Sequence, residues 1–312
     1  MTDILSKKIL LTGASGFVGR HVYETLLKRG ICSKNILRPG SKDADLRLRE
    51  NALKVTKEID IIIHLAGNVG GIGYNRKYPG TLFYDNLMMG VNLIEAAKKN
   101  SVEKFLCIGT ICSYPKFTPV PFQEEDLWNG YPEGTNAPYG IAKKVLLTML
   151  KAYKQEFGMN GVYLLPVNMY GPQDNFDPKS SHVIPAIIRK IAEAKENNQD
   201  SITAWGDGSP TREFFYVKDA AEAIVSAAEK YNDIEPVNIG SGNEISIKQL
   251  VETIVKEMGF QGEIKWDTTR PNGQPRRCLD VSRAKKYFDF EAKTDFLTGL
   301  RETIKYYYDK IA

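Results

Sequence analysis

The sequence predicts an α/β protein, a doubly wound parallel sheet with a smaller C-terminal α/β lobe. Three observations lead there. Strand-like and helix-like stretches alternate through the first half. Some strand-like stretches, above all Ile59–Ala66 (IDIIIHLA), are continuously apolar, the mark of strands covered on both faces. At 312 residues the chain exceeds one small core and suits one large domain carrying a lobe.

The elements follow in order. Lys8–Thr12 reads as a buried first strand, and Phe17–Arg29 as a helix stopped by Gly30. Asn35–Arg38 is a short strand, Ile59–Ala66 the next, Phe83–Lys99 a helix and Lys104–Thr110 a buried strand. Tyr139–Phe157 is a long helix and Gly161–Pro166 a strand. Strand, helix, strand at this spacing implies parallel pairing through right-handed crossovers.

After about residue 168 the pattern loosens. Turn residues cluster through Tyr170–Ser181, and a helix follows at Ile184–Glu196. Irregular chain runs to about Thr211, Val217–Tyr231 is helical, and short segments precede a last helix, Phe296–Lys310. The expected division is 1–168 with about 213–242 around the sheet, and 169–212 with 243–312 in the smaller lobe. The sequence contains no internal repeat or low-complexity tract.

Hydrophobic residues make up 42% and charged residues 26%, an ordinary globular balance. A net charge of +4 without a basic stripe argues against a nucleic-acid protein. It fits a positive pocket for a phosphorylated ligand and a solvated surface equally. No run of about 18 apolar residues suggests a membrane span. In the start, MTDILSKKILLTG, the apolar stretch before Gly13 is too short for a signal peptide and reads as a strand. Cys32, Cys107, Cys112 and Cys278 form no CxxC pair and no metal spacing, so reduced thiols in the cytoplasm and no metal are expected.

Gly13-Ala-Ser-Gly16-Phe-Val-Gly19 joins the first strand to the first helix. Gly13 allows the tight turn, Gly16 the approach of a pyrophosphate, and Gly19 close helix–sheet packing. The helix N-terminus offers free N–H groups and a positive dipole to phosphates. Ser15, Phe17 and Val18 join the glycines as candidate dinucleotide contacts. The bland reading is a Gly-rich turn without ligand. At the end of the second strand, Leu37-Arg38-Pro39-Gly40-Ser41-Lys42 holds no carboxylate for a ribose 2′-OH. Arg38, seconded by Lys42, suits a 2′-phosphate, so NADP is expected over NAD; the alternative is a solvated arginine.

Tyr139-Gly-Ile-Ala-Lys143 puts a phenol and an ammonium on one helix face. A ketone being reduced needs a proton for its developing alkoxide. A phenol near pKa 10 serves at neutral pH when a nearby cation steadies its phenolate. Lys143 supplies that charge and can hold a nicotinamide ribose. Thr110, at a strand end, is placed to hydrogen-bond the carbonyl. The competing reading is a surface Tyr–Lys pair.

These residues make the chain resemble the extended short-chain dehydrogenases, and within them the GDP-L-fucose synthase family. The resemblance runs over nearly the whole chain. It rests on His64-Leu-Ala with Val69-Gly-Gly-Ile72, Tyr84-Asp-Asn-Leu-Met-Met-Gly90, Cys112-Ser-Tyr-Pro-Lys116, Asn136-Ala-Pro-Tyr-Gly-Ile-Ala-Lys143 and Tyr170-Gly-Pro-Gln-Asp-Asn-Phe176. Ser181-His-Val-Ile-Pro-Ala186, Trp205-Gly-Asp-Gly-Ser-Pro with Arg212-Glu-Phe214, and Asn238-Ile-Gly-Ser-Gly242 continue it. It implies a Rossmann domain and one site that epimerises C3 and C5 of GDP-4-keto-6-deoxy-mannose and then reduces C4 with NADPH. A C4 ketone acidifies both neighbouring C–H groups, so epimerisation needs one base and one acid.

By resemblance that pair is Cys112 and His182, while Tyr139 protonates the C4 oxygen, Lys143 supports it and Thr110 positions the carbonyl. Unaided, Cys112 reads as a small core residue, and His182, opening a helix, as a cap or a hydrated surface residue. The resemblance also assigns Lys190, Trp205, Arg212 and Asp280 to the nucleotide. Their bland readings are a helix-surface Lys190, a core Trp205 and an Arg212–Glu213 or Arg212–Asp207 pair. It places Asp45-Leu46 beside the adenine, Pro166-Val-Asn168-Met169 beside the nicotinamide, and glycine-rich Val69–Gly73 near the sugar. Two departures stand out. Thr110 replaces a common serine, adding a methyl to the sugar pocket. Ala14-Ser15 stand where some members carry an arginine for the 2′-phosphate.

The runner-up is a C4-epimerase or C4-reductase of another NDP-sugar, such as a GDP-heptose. A non-catalytic dinucleotide sensor would be expected to lose Tyr139 or Lys143. Apolar residues nearly all round Val145-Leu-Leu-Thr-Met-Leu150 imply cover on both sides. The resemblance suggests a homodimer through a four-helix bundle built by Phe83–Lys99 and Tyr139–Phe157.

Overall fold

The computed structural model describes residues 4–270 and 272–311; the first three residues of the amino-terminal segment read above lie outside it. The first half runs β1 (Ile9–Thr12), α1 (Phe17–Lys28), β2 (Ile36–Leu37), α2 (Arg49–Val55), β3 (Ile61–His64), α3 (Ile72–Lys77), α4 (Pro79–Lys99), β4 (Lys104–Ile108), α5 (Ala137–Phe157), β5 (Asn160–Pro166). There follow β6 (Asn168–Tyr170), α6 (Val183–Glu196), β7 (Ser201–Trp205), β8 (Thr211–Tyr216), α7 (Val217–Lys230) and β9 (Val237–Ile239). The chain ends β10 (Glu244–Ser246), α8 (Ile247–Glu257), β11 (Glu263–Asp267), β12 (Arg276–Arg277), α9 (Ser282–Phe288), α10 (Phe296–Lys310).

The large sheet is parallel throughout, in the order β2-β1-β3-β4-β5-β9. Every residue of β1 and β3 is buried, as expected of strands with helices on both faces. Helix α1 packs on α7, and α4 packs on both α2 and α5. From β1 the chain runs out to β2 and returns on the other side as β3. That reversal opens a crevice at the carboxyl ends of β1 and β3, where such sheets take their ligands.

A second core gathers Ile184, Ile187, Ile188 and Ile191 of α6 with Leu250 and Ile254 of α8 and Leu300 of α10. The α6 spacing is that of one helix face. Strand β8 pairs β10, β12 and β6, while β7 pairs β11. Leu279, Ala284, Phe288 and Phe290 return to the first core, where α9 packs on α7 and β9. The buried Glu213 ties these parts together. One carboxylate oxygen accepts from the Ser241 and Gly242 amides at 2.6 and 2.8 Å, the other from the Leu279 amide at 2.8 Å.

Several boundaries differ from the sequence reading. Helix α4 begins at Pro79 rather than Phe83; a proline suits the first turn because that N–H has no helical partner. Strands β3 and β4 stop at His64 and Ile108, short of Ala66 and Thr110. At Thr110 the chain turns into a tight 3-10 turn, Ile111–Ser113, and the Thr110 hydroxyl caps it. The stretch read as irregular before Thr211 contains β7, half exposed and alternating in burial. Helix α8 opens on a Ser246/Gln249 capping box that the sequence reading passed over.

Candidate active site

The glycine loop forms the floor. Gly13 has φ +71°, and a Cβ there would lie 2.7 Å from the Ala66 nitrogen. A Cβ on Gly19 would lie 2.1 Å from the Gly13 carbonyl oxygen. The loop therefore closes on itself and on the chain after β3 only without side chains. Gly16 caps α1 with no side-chain bond, and the first helical turn carries no acid. Its amides and dipole stay available to an anion. A cradle that side chains would fill, above an uncapped helix end, fits a dinucleotide pyrophosphate. Arg20, passed over in the sequence, donates to the Ser15 carbonyl at 2.8 Å and puts a guanidinium at this mouth.

The other cofactor-side residues are held as follows. The Arg38 guanidinium lies 3.6 Å over the Tyr23 ring, an orienting cation–π contact. Asp45 is ion-paired with Arg47, which also reaches Asp85, and Leu46 is buried beside it. Pro166 ends β5, and Met169 packs on the first core. Asn168 donates to the Glu213 carbonyl at 3.2 Å.

Thr110 and Cys112 follow β4, and Tyr139 and Lys143 sit on the opening turns of α5. The Thr110 hydroxyl accepts from the Cys112 amide at 3.1 Å and lies near the Tyr139 side chain, where it works against the rise in that phenol's pKa. Gly140 lets these segments touch, since a Cβ there would meet the Cys112 carbonyl at 2.3 Å. Ser113 donates to the Gly140 carbonyl at 2.9 Å, and Tyr163 to the Lys143 carbonyl at 2.8 Å. The first turns of α5 are thus fixed from below.

Burial pushes the Tyr139 phenol well above its ordinary pKa, with Cys112 and Cys107 adding to the rise and Thr110 opposing it. A phenol that keeps its proton is the form a proton donor requires. Lys143 is 2% exposed, and burial lowers its pKa. Below it His64 is fully buried and held neutral, its pKa pushed down to about 3 by burial and then by Lys143. Its Nδ1 lies 2.8 Å from the Thr12 hydroxyl.

The loop after β3 joins this centre to His182. A Cβ on Gly67 would lie 3.7 Å from the Lys143 Nζ, and the Gly71 amide donates to the Ser180 carbonyl at 3.1 Å. His182 heads α6 without capping it. Its side chain is open to solvent, yet surrounding protein lowers its pKa, as in a cleft wall.

The nucleotide candidates form a line leading away. Trp205 is 56% exposed, with the Lys190 ammonium 5.8 Å and the Arg270 guanidinium 5.1 Å from its ring centre. Lys190 also donates to the Thr203 carbonyl. Asn272 bridges this end to the next, accepting from the Asp207 amide through its side chain and from Arg212 through its carbonyl. Arg212 makes neither of the carboxylate pairs considered for it. Burial, then repulsion from Arg277, lowers its pKa to about 10. Arg277 stands beside it in register and reaches the Cys112 sulfur. Arg277 was missed: in Pro-Arg-Arg nothing local marks the second arginine as turned inward. Asp280 follows β12, its carboxylate accepting from the Ser282 amide at the head of α9. Among the described residues no cluster of His, Cys, Asp or Glu could hold a metal, and no helix is long and apolar enough to cross a membrane.

A parallel sheet with a glycine-lined phosphate cradle, and a Tyr–Lys helix beside it, define a dinucleotide-dependent sugar-nucleotide enzyme class. The chain belongs to the NAD dependent epimerase/dehydratase family, whose model matches residues 9–240. Within that family it groups with the GDP-L-fucose synthases. It is 36% identical over 305 residues to probable GDP-L-fucose synthase 1 of Oryza sativa subsp. japonica, covering 97% of this chain and 93% of that one. It is 36% identical over 289 residues to GDP-L-fucose synthase of Escherichia coli (strain K12), covering 89% of each. The structure of a GDP-L-fucose synthetase from Naegleria fowleri bound to NADP superposes with a TM-score of 0.89 at 27% identity, over 99% of this chain and 95% of that chain.

Proposed function

We propose that the protein converts GDP-4-keto-6-deoxy-mannose to GDP-L-fucose, epimerising C3 and C5 and reducing C4 with NADPH. One arrangement carries this reading: a half-buried Tyr139 beside Thr110, one turn from Lys143 and facing Cys112. Family membership and the NADP complex of the similar Naegleria protein support it.

Residues 13–19 hold the pyrophosphate, with Arg38 beside the 2′-phosphate, Asp45 and Leu46 beside the adenine, and Pro166, Asn168 and Met169 near the nicotinamide. When bound, the dihydronicotinamide supplies the hydride to C4. Cys112 removes a proton from carbon next to the ketone, and the C–H electron pair spreads onto the C4 oxygen. His182 delivers a proton on the opposite face, where its lowered pKa makes the imidazolium a stronger acid. Thr110 orients the carbonyl, and Tyr139 then protonates the C4 oxygen. Lys190, Trp205, Arg212 and Asp280 hold the GDP. Residues 1–168 with about 213–242 serve the cofactor, and 169–212 with 243–312 the sugar nucleotide.

The proposed setting is the cytoplasm, consistent with four unpaired thiols. The proposed assembly is a homodimer through α4 and α5. On the outer side of α5, Trp128 and Val145 are 54% and 38% exposed around a hollow of about 100 Å³, also lined by Ile141, Lys144 and Thr148.

The test is incubation with GDP-4-keto-6-deoxy-mannose and NADPH in deuterated water. NADPH should be consumed and deuterium should enter C3 and C5. Without NADPH consumption the reductase reading is rejected in favour of an epimerase that shows no net redox. Tyr139→Phe should lose reduction but keep exchange, and Cys112→Ser should lose exchange.

A further inference from the structure

We infer that Arg277 is a positioning residue for epimerisation, donating to the Cys112 sulfur and holding it in place to take the proton. The inference rests on the reading of Cys112 as the base. Adjacent arginines on β12 have opposite fates. Arg276 is exposed and ion-paired with Glu244. Arg277 turns inward, and its Nη1 lies 3.8 Å from the Cys112 sulfur. It forms no ion pair among the described residues, so its charge is not offset by a neighbouring carboxylate.

Its aim is built. The Arg277 Nε donates to the Gln274 side-chain oxygen, while the buried Gln274 donates through Nε2 to the Lys116 carbonyl at 2.6 Å. Lys116 lies four residues beyond Cys112, so this bracket closes on the segment that carries the thiol. On the other side the Cys112 amide is fixed by the Thr110 hydroxyl. Arg277 from β12 and Tyr139 from α5 both face the sulfur. Arg212, next to Arg277 in register, adds a second positive charge behind it.

A hydrogen bond from a guanidinium orients the sulfur and keeps a fixed positive charge beside the atom that takes the proton. In the step served, the thiolate takes the proton of the carbon beside the ketone and becomes a thiol. The C–H pair forms an enolate on the C4 oxygen, and an opposite-face proton from His182 restores the ketone. No net oxidation occurs. Exchange of the Cys112 and His182 protons with water resets the pair.

Arg277→Gln and Arg277→Lys test this by alkylation with iodoacetamide across pH, reading the Cys112 peptide by mass spectrometry. That measurement needs neither substrate nor cofactor. Relative to wild type, the glutamine variant should alkylate about tenfold more slowly at pH 7.5, and lysine should largely restore the rate. Deuterium entry at C3 and C5 should fall in parallel, while NADPH reduction of an already epimerised 4-keto sugar stays unchanged. An identical alkylation profile in wild type and Arg277→Gln overturns the inference. Slower alkylation with undiminished exchange overturns instead the reading of Cys112 as the base. Equal loss of exchange and reduction shows a merely structural role and also overturns it.

Discussion

The Tyr163 hydroxyl, fully buried on β5, donates to the Lys143 carbonyl at 2.8 Å. A strand residue thus sets the height and rotation of the helical turn that presents Lys143. Tyr163→Phe keeps the ring and removes the bond. It should cost about 1 kcal/mol of stability and lower kcat several-fold with little change in KM. Thermal unfolding and steady-state kinetics check the two halves separately.

Gly19→Ala should damage dinucleotide binding more than any exposed substitution. The added methyl would sit 2.1 Å from the Gly13 carbonyl oxygen, a backbone atom that no rotamer can move. Overpacking of this kind costs about 1–3 kcal/mol, and the distorted cradle should weaken NADP binding by about tenfold or more. Calorimetric titration with NADP gives the affinity, and a melting curve gives the stability.

Asp174 gives the protein a characteristic pH dependence. Burial raises its pKa from 3.8 to about 7, and its Oδ2 has no hydrogen-bond partner among the described residues. Between these values the folded state binds a proton that the unfolded chain does not. Its contribution is therefore complete below about pH 4 and is lost as pH rises through 7, with a slope of at most about 1.4 kcal/mol per pH unit. His64 acts oppositely: its folded pKa of about 3 makes stability fall as pH drops below 6.5. Comparing wild type with Asp174→Asn at pH 5 and pH 8 isolates the first effect. The variant should lack the falling limb.

Val145→Glu probes assembly. Val145 lies exposed on α5 beside Trp128, and in a two-fold pairing of this face the introduced charges would meet. Light scattering should give a dimer for wild type and a monomer for the variant. A monomeric wild type contradicts the proposed dimer.

What the sequence disclosed follows the range of the interactions involved. Gly13–Gly19 and Tyr139–Lys143 are legible because turn and helix spacing are local, and both stand where the sheet topology needs them. Continuous burial made β1 and β3 readable, whereas β7, with alternate residues exposed, passed as irregular chain. The Ser246/Gln249 capping box was a local signal left unused. Arg277 had none. Its contact with Cys112 spans 165 residues and depends on the pairing of β12 with β8.

The triple grip of Glu213 bears on how the protein comes apart. Its carboxylate binds amides that follow β9 and β12, and its own strand belongs to the small sheet. Separating the two hydrophobic cores strands an ionisable group and three donors at once. Partial melting of one half alone therefore carries the cost of three lost hydrogen bonds and a stranded carboxylate.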